Sequence, residues 1–135
     1  MVDENLVENT SDSILSTIKD LLGVGIDDTS FDPSIIVLIN SALSTLHKIG
    51  VGPKGYKISG ANNLWSEFLL DRTDLEEVKT NVYLRVRLMF DPPQNSFLVS
   101  AIKEQIEETN FYIELYHNPE VSPVETEEPL EFGTI

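Results

Sequence analysis

The chain has 135 residues, the length of one domain, and at that size folding buries roughly two-thirds of the unfolded surface. Nine basic residues stand against twenty-three acidic ones, a net charge of −14, which leaves little of the cationic surface that nucleic-acid affinity requires. The absence of cysteine excludes a disulfide framework, a thiolate nucleophile and a Cys-based zinc site, and no apolar run approaches the ~20 residues that span a bilayer.

In chain order, residues 1–11 read as a flexible acidic N-terminus, unlike the basic start of a signal peptide. A first helix is predicted from Asp12 to Leu22, with Ile14, Ile18 and Leu21 on one face, Leu15 and Leu22 flanking it, and Gly23 as the stop. A second begins at Asp32-Pro33, a capping residue followed by proline at the first helical position. Its buried stripe is Ile35, Ile39, Ala42, Leu46 and Ile49, and Gly50 and Gly52 end it. Residues 50–63 are rich in glycine and read as turns, with Tyr56-Lys57-Ile58 a short strand in a small β-hairpin or an extended loop. Leu64, Trp65, Phe68 and Leu69 predict a brief helix capped by Asn62 or Asn63.

Residues 72–93 carry a long helix pattern stopped by a double proline. Leu75, Val78, Val82, Val86 and Met89 step by three or four residues and share a face. Tyr83, Leu84, Leu88 and Phe90 widen it, so this helix needs either a full core around it or a neighbouring subunit. A last helix starts near Asn95 or Ser96 and runs to about Tyr116, with Leu98, Ile102, Ile106 and Ile113 as its apolar face and Glu104, Glu107 and Glu108 solvated. Residues 117–135, acidic and interrupted by Pro119, Pro123 and Pro129, read as a flexible tail. The expected architecture is all-α: four main helices and a short one over residues 12–116, arranged as a small bundle.

No pattern points to catalysis, a metal or a cofactor. His47 and His117 sit at helix ends, where a polar or cationic residue suits the carbonyl terminus, and they lack partners at metal-ligand spacing. Gly50, Gly52 and Gly55 match neither of the common phosphate-loop patterns. Glu76-Glu77 and Glu107-Glu108 fall where a helix faces water, and Ser13, Ser41 and Ser44 lack a nucleophile-elbow context. Arg85 and Arg87, with Lys79 and Arg72, form the chain's basic cluster; they either lay their stems over the core or pair with acids of another copy. Trp65 and Phe68 are expected in the core. Leu130, Phe132 and Ile135 are apolar residues at the end of an acidic tail, a composition that suits either disorder or ordering on a partner.

The series FDPSIIVLINSALSTLHKIGVGP, then W-x-x-F-L, then VKTNVYLRVRLMFDPP resembles the head–tail connector, or adaptor, proteins of long-tailed bacteriophages over about residues 13–116. The signature pieces are Gly50, Gly52 and Pro53, then Trp65 with Phe68, then Phe90-Asp91-Pro92-Pro93; they read as architectural. The resemblance implies a structural virion protein with no enzymatic activity and no cofactor. It would form a homo-oligomeric, dodecameric ring at the neck, between the portal protein and the next neck protein. That ring would extend the DNA channel, and DNA would pass without specific binding. The family's C-terminal segment contacts the portal.

The residues expected at such contacts are Tyr83, Leu84, Arg85, Arg87 and Leu88 on the long helix, and Leu130, Phe132 and Ile135 in the tail. Excess acid suits a channel past which DNA slides, and equally suits plain solubility. The competing reading is a small acidic monomer of the DNA-mimic type that inhibits a basic partner.

Overall fold

A computed structural model describes residues 12–117. Five helices follow in order: α1 (Ile14–Leu22), α2 (Asp32–His47), α3 (Trp65–Leu69), α4 (Leu75–Phe90) and α5 (Ser96–His117). The described residues hold no sheet, only an isolated antiparallel bridge between Ser13 and Leu64. The all-α expectation holds, and the architecture is organised around α4, which packs against α1, α2 and α5.

The helix ends follow local chemistry. Ser13, in extended conformation, caps α1 through its Oγ, which accepts from Ser16 N at 3.2 Å. Gly23 closes the helix with φ 81°, its N–H directed at Asp20 O. Asn95 caps α5 by accepting from the amide of Phe97 at 2.7 Å. At the end of α4 the Asp91 N–H still reaches Arg87 O, and Pro92 and Pro93 then prevent continuation.

The α1 face is rotated from the sequence expectation. Ile14, Leu15 and Ile18 are buried, whereas Leu21 is largely exposed. The face is centred between Ile18 and Leu22, which turns Leu21 outward and brings Lys19 in, to 3% exposure. Lys19 Nζ pairs with Asp32 Oδ1 at 2.9 Å and donates to Ile26 O and Asp28 O. Asp32 is therefore not the cap of α2; Phe31 holds that position, and Asp32 lies in the first turn, where the helix dipole favours a carboxylate. One buried ammonium thus ties α1, the following loop and the start of α2 together.

Of the two forms expected for residues 50–63 the loop is the one present, and Tyr56-Lys57-Ile58 makes no strand. Ile58 has no partner strand; instead the side chain of Asn40 pairs with it like a backbone, Nδ2 donating to Ile58 O at 3.0 Å and Oδ1 accepting from Ile58 N at 2.8 Å. This clasp seats Ile58 in the core cluster to which Val51 also belongs. Asn62 and Asn63 do not cap α3. Leu64 occupies the cap position, its N–H satisfied by Glu67 Oε1 at 3.1 Å, while Asn63 Oδ1 accepts from Ser59 N. Glu67 also accepts from the Tyr56 hydroxyl at 2.9 Å. Burial, reinforced by that carboxylate, pushes the Tyr56 phenol up, and the Leu64 amide holds Glu67 down.

The main core joins Ile14 and Ile18 of α1, Ile35, Ile39, Leu43 and Leu46 of α2, Trp65 and Phe68 of α3, Val78, Val82 and Val86 of α4, and Ile113 of α5. Besides Leu21, two stripe residues are exposed. Met89 is 71% exposed because Phe90 continues the α4 stripe, packing edge-on to Phe31 at 5.5 Å between ring centres. Leu98 is 49% exposed, since the first turns of α5 have no described element over them. Ile102 and Ile113 are buried as expected, and Ile106 is partly covered.

Gly52 has φ 80°, and a Cβ there would overlap the Phe68 ring; Gly55 has φ 75° with open space around it. Gly52→Ala is therefore expected to combine backbone strain with a clash and to cost about 3 kcal/mol, against about 1 kcal/mol for Gly55→Ala, by denaturant unfolding. Equal costs would show that the glycine loop does not rest on Phe68.

Candidate assembly surface

Arg85 and Arg87 are two residues apart, so they leave α4 on nearly opposite flanks. On the Arg85 flank, Asn81 is fully buried between α4 and α5. Its Nδ2 donates to Thr109 Oγ1 and Asn110 Oδ1, both at 2.8 Å, and its Oδ1 accepts from Arg85 Nε at 2.7 Å. Arg85 also donates from Nη2 to Asn110 Oδ1 at 3.1 Å. Its partners among the described residues are all neutral, and burial holds it below the usual arginine range.

On the other flank, Arg87 donates to the Tyr83 hydroxyl at 3.3 Å and to Asp91 O at 3.4 Å. Neither arginine forms an ion pair among the described residues; the pairs there are Lys19–Asp32, Arg72–Asp74 and Lys79–Glu76. Arg72, which the sequence placed in the same basic cluster, is used internally. Its guanidinium meets both oxygens of Asp74, donates to Ile113 O at 3.0 Å and lies over the Tyr116 ring at 4.5 Å. It locks the end of α5 to the start of α4.

Beside Arg85 the surface opens into a groove of about 240 Å³ between α2, α4 and α5. Leu38, Ala42, Leu88, Met89 and Ile106 give it apolar walls. Val37, exposed on α2, and Phe97 and Leu98, exposed at the start of α5, add further uncovered apolar surface.

The residues expected at subunit contacts thus separate. Leu84 is 6% exposed and packed within its own chain, so it offers little surface to a neighbour. Tyr83 is partly buried against the core and leaves its hydroxyl to Arg87. Leu88, Arg85 and Arg87 keep accessible surface. Leu130, Phe132 and Ile135 lie outside the described residues.

Gly50, Gly52 and Pro53 form the turn after α2, where Gly52 O meets His47 Nδ1 at 2.9 Å. Trp65 and Phe68 are buried, and Trp65 Nε1 donates to Thr17 Oγ1. Phe90, Asp91, Pro92 and Pro93 terminate α4.

Sequence reasoning missed Asn81, whose signal was a lone amide inside an apolar stripe, and Met89 as an exposed rim. Among the described residues no three His, Asp or Glu side chains are placed to hold a metal ion, and no helix is long and apolar enough to cross a membrane.

A protein-family model described as phage connector protein matches residues 14–120, which is 107 of the 135 positions. Neither the curated proteins nor the solved structures gave a match.

Asn81→Ala is expected to cost about 3 kcal/mol by chemical unfolding, because it strands buried donors and acceptors on α5 and Arg85. Arg85→Met, which keeps the stem and leaves Asn81 bonded to α5 but strands the Asn81 Oδ1 acceptor, should cost less, about 1–2 kcal/mol. A reversed order would mean that Arg85 anchors α5.

Proposed function

The chain belongs to the phage connector protein family, a structural family of the head–tail junction, and from that membership we propose that it acts as the ring-forming adaptor beneath the portal. In this reading a dodecameric ring of copies sits at the virion neck, extends the DNA channel and docks the next neck protein. The family match over most of the chain carries the reading.

Three features support it. A ring needs a heterologous contact, in which one surface of a copy meets a different surface of the next. The two flanks of α4 supply unlike surfaces, each with an arginine lacking a carboxylate in its own described chain. The outer face of α5 offers exposed Glu104, Glu107 and Glu108 with Phe111 and Tyr112, chemistry that complements the Arg87–Tyr83 flank. Finally, nine basic residues in a chain of net charge −14 suit a channel that passes DNA without holding it. The C-terminal segment is assigned to portal docking.

The acidic inhibitor reading shares the charge but not the family. Sizing the purified protein alone and mixed with its portal separates the two. The adaptor should join the portal as a multi-copy complex, and truncation after Glu120 should leave the helical fold intact while weakening docking. No binding to portal, with tight binding to a basic DNA-binding protein, would overturn the adaptor reading. Undiminished docking by the truncated chain would remove the tail's role.

A further inference from the structure

The groove beside Arg85 has the features of a docking site whose occupant is acidic and apolar. Its walls are Leu38, Ala42, Leu88, Met89 and Ile106, and its volume of about 240 Å³ lies below the ~300–1,000 Å³ of small-molecule pockets and suits one or two side chains. At its edge stands a half-buried guanidinium whose hydrogen-bond partners among the described residues are the side-chain amides of Asn81 and Asn110. A desolvated cation of this kind gains most from a carboxylate.

The C-terminal segment has that chemistry. Residues 118–135 carry Glu120, Glu125, Glu127, Glu128 and Glu131 with no lysine or arginine, and they end in Leu130, Phe132 and Ile135. Reach is sufficient. From His117 back along α5 to Ile106 is about 17 Å at the helical rise, whereas residues 118–130 can extend about 43 Å. A covalent tether of this length gives the segment an effective concentration on the order of millimolar at its own groove, which favours it over a second copy.

We propose that in the free protein the C-terminal segment folds back on its own chain, seating Leu130 and Phe132 in the α2–α4–α5 groove with its carboxylates facing Arg85. Groove and portal would then compete for one segment, so portal docking would uncover the Leu88–Met89 rim. The docking stands or falls independently of whether a ring forms, because it concerns the single chain.

Hydrogen exchange of the full-length protein tests it, alongside the methyl resonance of Met89, one of two methionines in the chain. The comparison variants are Leu130→Asp/Phe132→Asp, altered outside the helical domain, and Arg85→Gln. Amides of residues 130–135 should exchange about tenfold or more slowly in the wild type than in the tail variant. The Met89 methyl should shift between those two proteins, and Arg85→Gln should lose most of the slowing. Equal exchange in wild type and tail variant overturns the proposal. So does slowing that persists unchanged in Arg85→Gln, or that grows with protein concentration, which would place the segment on another copy.

Discussion

Everything else in this fold depends on covering α4. The helix has 16 residues and presents apolar side chains around most of its circumference, so no single neighbour can desolvate it. Val78, Val82 and Val86 enter the main core with α1 and α2, while Asn81 is buried against α5. Complete burial of a Val, Leu or Ile contributes roughly 1.5–3 kcal/mol, so the three valines together matter more than any polar contact described above. The order of elements follows from this demand. α1 and α2 cover one side, α5 returns antiparallel after the Pro92-Pro93 turn to cover another, and the glycine loop and α3 fill the space left between α1 and α2.

Polar groups in this interior act as fasteners rather than as chemistry. Lys19 holds three segments at one ammonium, Asn40 completes the hydrogen bonds of Ile58, and Arg72 joins α4 to α5. Asn81 bonds to two side chains of α5 while accepting from Arg85. Asn81 and Arg72 satisfy groups on α5 that would otherwise be left unpaired against α4, a penalty of about 1–3 kcal/mol apiece when such a group is buried. Arg85 and Arg87 differ from these: both are bonded, yet neither meets a carboxylate among the described residues. In a chain with fourteen excess negative charges, that is a local reserve of positive charge on the surface of the central helix.

Much of the architecture was legible because the chain punctuates its helices. Gly23, Pro33, Gly50, Asn95 and the Asp91-Pro92-Pro93 stop act through local backbone geometry, which a sequence displays directly. Rotation of the helix faces was less legible. Periodicity located a stripe on α1, α4 and α5, but Leu21, Met89 and Leu98 near its ends turned out exposed, because helical spacing cannot say where the neighbouring element stops. The buried polar residues were invisible for a related reason. Lys19 finds Asp32, and Asn81 finds Thr109 and Asn110, across sequence gaps that no local pattern spans. Of the surface named in advance, Arg85, Arg87 and Leu88 remain accessible, whereas Leu84 was drawn inside by α4 being covered within its own chain.

The concentration dependence of unfolding measures most directly whether α4 is covered by one chain or by two. A protomer that buries its own central helix unfolds in a unimolecular step, so its thermal midpoint should stay constant over about a hundredfold range of protein concentration. A midpoint that rises steadily with concentration, together with loss of helical signal on dilution before any heating, would contradict this, because it would show that the helix is covered only when copies associate.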